Sequence, residues 1–330
     1  MHNVAWIIGC DGQDGTYLRR HLTHDGCRWI GTARRRTIDD RDQILDHIDV
    51  LDARSVQEAL ERHAPDEVYY LAATHGSAEA VDGTPGGLVH DSMAVHVTGF
   101  VNVLEAVKST GGRSRVVYAA SSHVFGTPVT RMQNEDSPWS PECVYGISKA
   151  TGGRLCRHYR DRHGLHASAA VLFNHESLLR PRGFLSMKVI DAACAVAHGE
   201  LDRLVVGSLD RVVDWGYAPD YVDAMVRIVR HSRPADFVVA TGKPHTVRDF
   251  ARIAFEVVGL DAERHVTQDA ALTPFPKPPL IGDASRLRDA TGWNPSIDFD
   301  TMVRRMTREH FLTTRGPHAP PGSHPFGASS

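Results

Sequence analysis

Short apolar runs alternate with amphipathic stretches along most of the chain. Seven runs have the length and the β-branched or aromatic content of buried strands. Between them lie segments with apolar residues at helical spacing, the longest over about 91–109. This alternation predicts right-handed crossovers and a doubly wound parallel α/β sheet. The predicted strands are 4–8, 28–33, 44–49, 67–72, 115–120, 167–172 and 237–240.

The pattern loosens after Phe173. Segments 175–210 and 241–312 contain helices and loops rich in proline and glycine, and they predict a smaller α/β substrate-binding lobe that is discontinuous in sequence. Residues 1–174 and 211–240 are assigned to the domain that contains the sheet. Residues 313–330 have no periodicity and predict a disordered tail.

A glycine-rich turn follows the first predicted strand and precedes a helix. Gly9, Gly12 and Gly15 form the pattern G-x-x-G-x-x-G. Glycine allows the tight turn and lets a pyrophosphate approach the N-terminus of the helix, where backbone N–H groups favour anions. We therefore predict a dinucleotide site here, to which Gln13 and Asp14 of the turn also belong.

The end of the second predicted strand bears on the choice of cofactor. A carboxylate often binds the adenosine ribose at this place, whereas this chain carries Arg34, Arg35 and Arg36. Guanidinium groups would hold a 2′-phosphate, so the sequence favours NADP over NAD, and a solvated basic loop is the alternative. Asp49 is placed to meet the adenine amino group or, alternatively, to cap a helix.

Tyr145 and Lys149 are four residues apart on a predicted helix, which puts both side chains on one face. The lysine cation is expected to favour phenolate and lower the pKa of the tyrosine. Ser121, at the end of a predicted strand, can share the proton. The three residues predict removal of a proton from a sugar or alcohol hydroxyl while a nicotinamide takes the hydride.

Composition narrows the possible partners. The chain has 330 residues, 42% of them hydrophobic and 23% charged, with a formal charge of −3. This is typical of a soluble globular protein and argues against nucleic acid as a partner. No apolar run approaches the roughly 20 residues that a membrane span needs. The N-terminus runs straight into a strand without a signal peptide, so we expect a cytoplasmic protein with no membrane partner.

The cysteines and histidines predict no metal site. Five cysteines are scattered without a C-x-x-C pair, which is typical of reduced thiols in a cytoplasm. None of the 20 histidines belongs to a metal-ligand motif such as H-E-x-x-H.

Several segments resemble the extended short-chain dehydrogenases/reductases that epimerise or dehydrate nucleotide sugars. They include "GCDGQDGTYL", "AASSHVFG", "YGISK", "LFNHES" and "VGSLDRVVDWGYAPDYVDAM". The resemblance is closest to the GDP-mannose 4,6-dehydratases and runs over nearly all of 4–310. It implies a Rossmann domain, a nucleotide-sugar substrate and a homo-oligomer of two or four subunits.

The resemblance also implies roles for individual residues. Ser121, Tyr145 and Lys149 take the catalytic positions. His175 and Asn174 fall on cofactor and substrate positions, and the alternative for both is a buried polar residue satisfied by backbone. The further cofactor contacts implied are Leu71, Ala72, Ala73 and Arg180, and the further substrate contacts are Ser122, His123, Lys188 and Arg211.

Three positions depart from the family pattern. His123 stands where the dehydratases have a glutamate that removes the proton from C5; an imidazole can serve as a base or simply line the pocket. Val213 replaces an arginine that helps hold the diphosphate, and Arg211 is a possible substitute. His96 replaces an asparagine or aspartate and either orders the site or packs within its helix.

Without a carboxylate at position 123, what remains is oxidation at C4 followed by return of the hydride. The sequence therefore favours C4 epimerisation of a nucleotide-linked hexose or heptose. The alternative is a 4,6-dehydratase in which His123 is the base, and a third possibility is an NADPH-dependent 4-keto-sugar reductase. A redox-sensing protein without enzymatic activity is disfavoured, because both Tyr145 and Lys149 are present.

Overall fold

A parallel sheet forms the centre of the computed structural model, which describes residues 4–33, 48–74, 85–272 and 278–314. The strands are β1 (Val4–Ile8), β2 (Arg28–Thr32), β3 (Glu67–Tyr70), β4 (Arg115–Ser121), β5 (Ala167–Leu172), β6 (Asn174–Glu176), β7 (Leu204–Val206), β8 (Val212–Tyr217), β9 (Phe237–Val239), β10 (Pro244–Thr246) and β11 (Val266–Gln268). The helices are α1 (Gln13–His24), α2 (Ala53–His63), α3 (Pro85–Met93), α4 (Gly99–Ser109), α5 (Val144–His163), α6 (Leu185–Ala197), α7 (Ala218–Arg230), α8 (Val247–Val257), α9 (Ala262–His265), α10 (Ser285–Thr291) and α11 (Phe299–Thr314).

The central sheet has the strand order β2-β1-β3-β4-β5-β9, and all its pairs are parallel. Helices α1 and α7 contact each other, and α4 contacts both α2 and α5. All residues of β3 and β5 are buried, as expected for parallel strands covered by helices. The predicted doubly wound parallel sheet is thereby confirmed.

Six of the seven predicted strands belong to this sheet, with ends that agree within two residues. The exception is the run predicted at 44–49. Its first four residues lie outside the described part of the chain, and Ile48 and Asp49 are not in a strand.

The long helix predicted over 91–109 differs from the structure in two ways. It begins earlier, at Pro85, and it is interrupted by a π-helical turn over Ala94–Thr98 that separates α3 from α4. A π-turn inserts one residue into the helical repeat and is frequent at functional sites. Here it carries His96, whose side chain is completely buried.

A second hydrophobic cluster lies outside the central sheet. It is built mainly from α6, α8, α11 and β8, the central strand of the small sheet β10-β8-β6, and it contains Trp215, Phe250 and Phe299. Strand β8, which we had placed with the main sheet, therefore contributes to this cluster. Conversely, Trp293 from the predicted lobe packs in the main core, where its indole N–H donates to the carbonyl of Asp220 at 2.9 Å.

The last described helix extends beyond the predicted boundary of the tail. Helix α11 continues to Thr314, two residues into the predicted tail, and 315–330 lie outside the described residues. Within the described ranges, no helix combines the length and apolar character that crossing a bilayer requires.

Candidate active site

A cavity of about 810 Å³ opens at the carboxyl ends of β1, β3, β4 and β5. The chain order reverses between β1 and β3, because β2 pairs on one side of β1 and β3 on the other. In open α/β sheets this switch point is where ligands bind. The volume lies within the range typical of small-molecule sites.

The glycine turn forms one wall of this cavity, and two of its glycines cannot be replaced. Gly9 has φ +94°, and a Cβ there would lie 2.8 Å from the backbone nitrogen of Ala72. A Cβ on Gly15 would lie 2.3 Å from the carbonyl oxygen of Gly9. At these two positions the backbone therefore packs directly against backbone, with no space for a side chain.

Gly12 has a different role in the turn. A Cβ there would meet only the Gly9 oxygen, at an ordinary 3.5 Å. Gly12 is the N-cap of α1 and offers no capping side chain, so the first N–H groups of the helix are open to an anion. This cradle fits the pyrophosphate of a dinucleotide.

An ion pair ties the glycine turn to β6. Nε2 of His175 lies 3.1 Å from each carboxylate oxygen of Asp14, and its Nδ1 donates to the carbonyl of Phe173 at 2.7 Å. Burial alone would raise the pKa of Asp14, but the nearby imidazole outweighs it and the pKa is lowered. Burial likewise opposes the charged form of His175, yet the attraction to Asp14 leaves its pKa raised.

Gln13 strengthens the same connection. Its amide nitrogen donates to the carbonyl of His175 at 3.2 Å, and its amide oxygen accepts from the Ser177 hydroxyl at 2.8 Å. The predicted cofactor residues Gln13, Asp14 and His175 thus form one network, although they come from opposite ends of the domain.

The structure brings Ser121, Tyr145 and Lys149 together at the cavity. Ser121 is the last residue of β4, and its hydroxyl hydrogen-bonds Tyr145. Lys149 is buried, and its ammonium donates to the carbonyl of Ala119 at 2.8 Å.

The expected lowering of the tyrosine pKa is wrong for this structure. Burial raises the pKa of Tyr145 to about 12, and the opposing influences are the charge of Arg180 and the bond from Ser121. Burial also lowers the pKa of Lys149 to about 7. Burial therefore works against the charged form of both groups.

His123 lies in the short helical turn that follows β4 and borders two cavities. Its ring stands edge-on to that of Tyr145, with 5.8 Å between centroids. The second cavity has a volume of about 70 Å³. Side chains around it include Ser122, His123, Asn174, Arg211, Glu142 and Cys143.

His96 connects the cofactor cavity to the catalytic helix. The backbone N–H of Thr74 donates to its Nε2 at 3.0 Å, so the other ring nitrogen carries the hydrogen and donates to the Ser148 hydroxyl at 2.7 Å. That hydroxyl donates to the carbonyl of Tyr145 at 3.0 Å. These contacts agree better with the first alternative for His96, a polar group that orders the site, than with a residue that simply packs within its helix.

Asp49 lines the cofactor cavity but does not cap α2. Its carboxylate accepts from the backbone N–H of Leu51, whereas Asp52 is the N-cap and accepts from Arg54. The capping alternative for Asp49 is therefore wrong. Arg34 and Arg35 lie outside the described residues.

The remaining predicted residues fall in different places. Leu71, Ala72, Ala73, Asn174 and Arg180 line the first cavity. Arg211 lies at the second cavity, whereas Lys188, in α6, lines neither of the two cavities. Within the described ranges, no group of three or more His, Cys, Asp or Glu side chains is arranged to hold a metal.

The sequence analysis missed Cys143 and Phe184. Cys143 is the N-cap of α5, where its sulfur accepts from the backbone N–H of Gly146 at 3.4 Å. Phe184 lines the first cavity and stacks under the guanidinium of Arg180 at 4.0 Å. The position of Cys143, two residues before Tyr145, was a signal that could have been used.

Comparison with known proteins points to one family. The family model described as GDP-mannose 4,6 dehydratase matches residues 6–306. GDP-mannose 4,6 dehydratase 1 of Arabidopsis thaliana is 35% identical, over 93% of this chain and 89% of its own.

Solved structures agree on the fold. RMD from Pseudomonas aeruginosa complexed with NADPH has a TM-score of 0.79 at 22% identity, with 94% of this chain and 99% of that chain covered. UDP-glucose 4-epimerase with UDP-glucose from Thermotoga maritima has a TM-score of 0.81 at 18% identity, with the same two coverages. At these identities the likeness shows the fold alone.

Proposed function

The chain belongs to the GDP-mannose 4,6-dehydratase family and is an NAD(P)-dependent nucleotide-sugar enzyme, and on this premise we propose that it removes water from a nucleotide-linked hexose through a 4-keto intermediate. The observation that carries the proposal is the position of His123, between the cofactor cavity and the second cavity and edge-on to Tyr145. The names of the relatives support dehydration over the C4 epimerisation that the sequence favoured.

The cofactor is NADP in this proposal. The glycine cradle, the Asp14–His175 pair and the residues after β3 would hold it, and the argument for the 2′-phosphate rests on the sequence at Arg34 and Arg35. A bound nicotinamide supplies hydride acceptance and return. Titrating the protein with NADP⁺ and NAD⁺ while following tryptophan fluorescence tests the preference, and tighter binding of NAD⁺ would contradict it.

Tyr145 takes the proton from the C4 hydroxyl. The Ser121 hydroxyl, which is hydrogen-bonded to the phenol, assists this proton transfer. Lys149 lies beside the tyrosine, with its nitrogen 5.8 Å from the ring centre of Tyr145, and the carbonyl of Ala119 holds its ammonium. Ser121 and Lys149 are buried and Tyr145 is half-buried, and all three line the first cavity.

His123 takes the C5 proton, which becomes acidic once C4 is a ketone. A neutral imidazole has an ordinary pKa near ~6.5 and is a competent base at neutral pH. Glu142, the exposed carboxylate at the same cavity, is the competing base that the structure offers. A variant at each position separates them.

The nucleotide diphosphate binds beside the second cavity. Arg211 is exposed there, and its guanidinium contacts no carboxylate within the described residues. The carboxylate of the neighbouring Asp214 accepts from the backbone N–H groups of Thr241, Gly242 and Gly282. GDP-mannose is the first substrate to test, since relatives are named for it.

C4 epimerisation is the second candidate, because His123 replaces the carboxylate that the dehydratases use. One experiment decides between the candidates. The protein is incubated with NADP⁺ and ADP-, GDP-, UDP- and dTDP-sugars in deuterated water, and the products are followed by mass spectrometry and proton NMR. Loss of one water with deuterium at C5 is expected for GDP-mannose.

Each other outcome identifies another function. A stereoisomer of equal mass without deuterium at C5 would establish epimerisation, and stoichiometric consumption of NADPH would establish a reductase. His123→Ala should stop both C5 exchange and water loss, whereas Glu142→Gln should retain both. If C5 exchange were lost only in Glu142→Gln, the base would be Glu142 and not His123.

Assembly into a dimer or tetramer is part of the proposal. It is what membership of this family leads us to expect. Light scattering on the eluting protein measures the molar mass, and a mass near that of the 36.3 kDa monomer would contradict it.

A further inference from the structure

A thiol and an imidazole meet at the second cavity. Sγ of Cys143 lies 3.6 Å from Nδ1 of His123, and both residues line that cavity. Both are partly exposed, and Tyr145 is two residues beyond the cysteine. A thiol in contact with a base, facing a cavity beside a reacting group, is an arrangement that enzymes use for proton transfer or nucleophilic attack.

The local structure of Cys143 also suits the thiolate that remains once the proton has been given up. It is the N-cap of α5, a 20-residue helix, and its sulfur accepts the N–H of Gly146. Ser, Thr, Asp and Asn are the preferred residues at an N-cap, and here a cysteine sulfur makes that contact instead. The positive end of a helix and an adjacent imidazole both stabilise a thiolate.

We propose that Cys143 and His123 act as one acid–base pair in the water-loss step, with the Cys143 thiol protonating the leaving C6 hydroxyl. The inference rests on the proposed dehydration. Water loss needs a base at C5 and an acid at C6, and no other residue has been given the second task. Because His123 and Cys143 are in contact on one wall of the cavity, they can act on the neighbouring carbons C5 and C6 from one face of the sugar.

The protons and electrons balance as follows. His123 takes the C5 proton, the C5–H electron pair forms the C5=C6 bond, and the C6–O bond breaks. The oxygen leaves with its electron pair and takes the Cys143 proton, which produces water. An imidazolium and a thiolate remain in contact, and they stabilise each other.

The cycle then closes without an outside oxidant. A bound nicotinamide would supply to C6 the hydride taken from C4, and the His123 imidazolium returns a proton to C5. The Cys143 thiolate recovers a proton from solvent, while Tyr145 releases to solvent the proton that it took from the C4 hydroxyl. The sugar has lost one water, and its overall oxidation state is unchanged.

Cys143→Ser tests the acid role while keeping the fold. Serine retains the N-cap acceptor, but its hydroxyl is a far weaker acid than a thiol. With GDP-mannose and NADP⁺ in deuterated water, we expect water loss to fall by about 10²-fold or more, the contribution of a general acid. Exchange of the C5 hydrogen should continue, because His123 is intact, and the unconverted substrate should gain one mass unit.

Two results in this assay overturn the proposal. Water loss at the wild-type rate in Cys143→Ser and in Cys143→Ala means that another group is the acid. A parallel fall in C5 exchange and water loss means that the cysteine only holds His123 in place. Cys27→Ser is the matched control, since Cys27 is half-buried and contacts Arg230 away from the cavity.

Alkylation tests the pair without any substrate. The rate at which iodoacetamide modifies Cys143 is measured by peptide mass spectrometry across pH 5–9, in wild type and in His123→Ala. Because Nδ1 of His123 contacts Sγ of Cys143, the pair predicts that the profile of Cys143 changes in the variant, whereas that of Cys27 does not. An unchanged profile would overturn the pairing. If no nucleotide sugar loses water, the proposed function and the acid role both fail, and the alkylation profile alone judges the pair.

Discussion

The ammonium of Lys149 is bound to the carbonyl of Ala119, at 2.8 Å, and lies 5.8 Å from the ring centre of Tyr145. The end of β4 thus holds the cation in place. Because burial removes water from around this cation, the pKa of Lys149 falls to about 7. The lysine is therefore an adjustable charge near neutral pH, and its protonation state affects both the site and the stability of the fold.

The first prediction follows from this pKa. An unfolded lysine has a pKa near ~10.4, so between about 7 and 10 the unfolded chain binds more protons than the folded one. The stability of the cofactor-free wild type should therefore rise with pH in this window, relative to Lys149→Met. Chemical denaturation of both proteins at pH 7, 8, 9 and 10 measures the difference. A difference that stays constant with pH would mean that Lys149 is charged in the folded state throughout.

The second prediction concerns Tyr145. Tyr145→Phe removes the group that takes the C4 proton and should lower kcat by about 10²-fold or more. The fold and the affinity for NADP⁺ should be unchanged, because the ring remains. Tyr159→Phe, on the same helix but bonded to Glu105, is the control and should keep its activity. Product formation by NMR measures the effect, and near-normal turnover of Tyr145→Phe would remove this residue from the mechanism.

The third prediction separates two glycines of the turn. Gly15→Ala would force a Cβ against the Gly9 backbone. It should lower the free energy of unfolding by about 3 kcal/mol or more and abolish NADP⁺ binding. A Cβ at position 12 meets no close neighbour, so Gly12→Ala should lower the free energy of unfolding by about 1 kcal/mol or less. It should still weaken NADP⁺ binding, because its methyl lies where the pyrophosphate approaches. Denaturation and cofactor titration check both, and equal stability losses would contradict the close packing at Gly15.

The fourth prediction concerns the pH dependence of the Asp14–His175 pair. The lowered pKa of Asp14 gives stability that is present above its unfolded value and is lost as pH falls. The raised pKa of His175 gives stability that is complete below about 6.5 and is lost as pH rises through the folded value. The pair should therefore stabilise the fold most at about pH 5–6.

Asp14→Asn tests this window. At pH 6 the variant should lose on the order of 3 kcal/mol, the cost of breaking a buried pair, and the loss should shrink by pH 9 as His175 becomes neutral. Asp11→Asn, an exposed carboxylate in the same turn, serves as the control. Denaturation at pH 5, 6, 8 and 9 gives the comparison, and a loss that grows with pH would contradict the assigned charges.

Local sequence patterns were enough to predict several features. The strands of the central sheet, the glycine turn and the shared face of Tyr145 and Lys149 depend on residues within one or two turns of each other. The resemblance to nucleotide-sugar enzymes was confirmed by the family comparison. The expected continuous helix over 91–109 was wrong, because it is interrupted by a π-turn in which His96 bonds Thr74 and Ser148, residues that lie far away in sequence.

The sequence by itself determined the order of strands and helices, the cofactor turn and the catalytic residue types, because periodicity and turn chemistry act between near neighbours. Only the tertiary structure decided the Asp14–His175 pair, the contact between Cys143 and His123, and the place of Trp293 in the main core. It also decided the direction of the Tyr145 and Lys149 pKa shifts. These depend on desolvation and on contacts between distant segments, which exist only when the chain has folded.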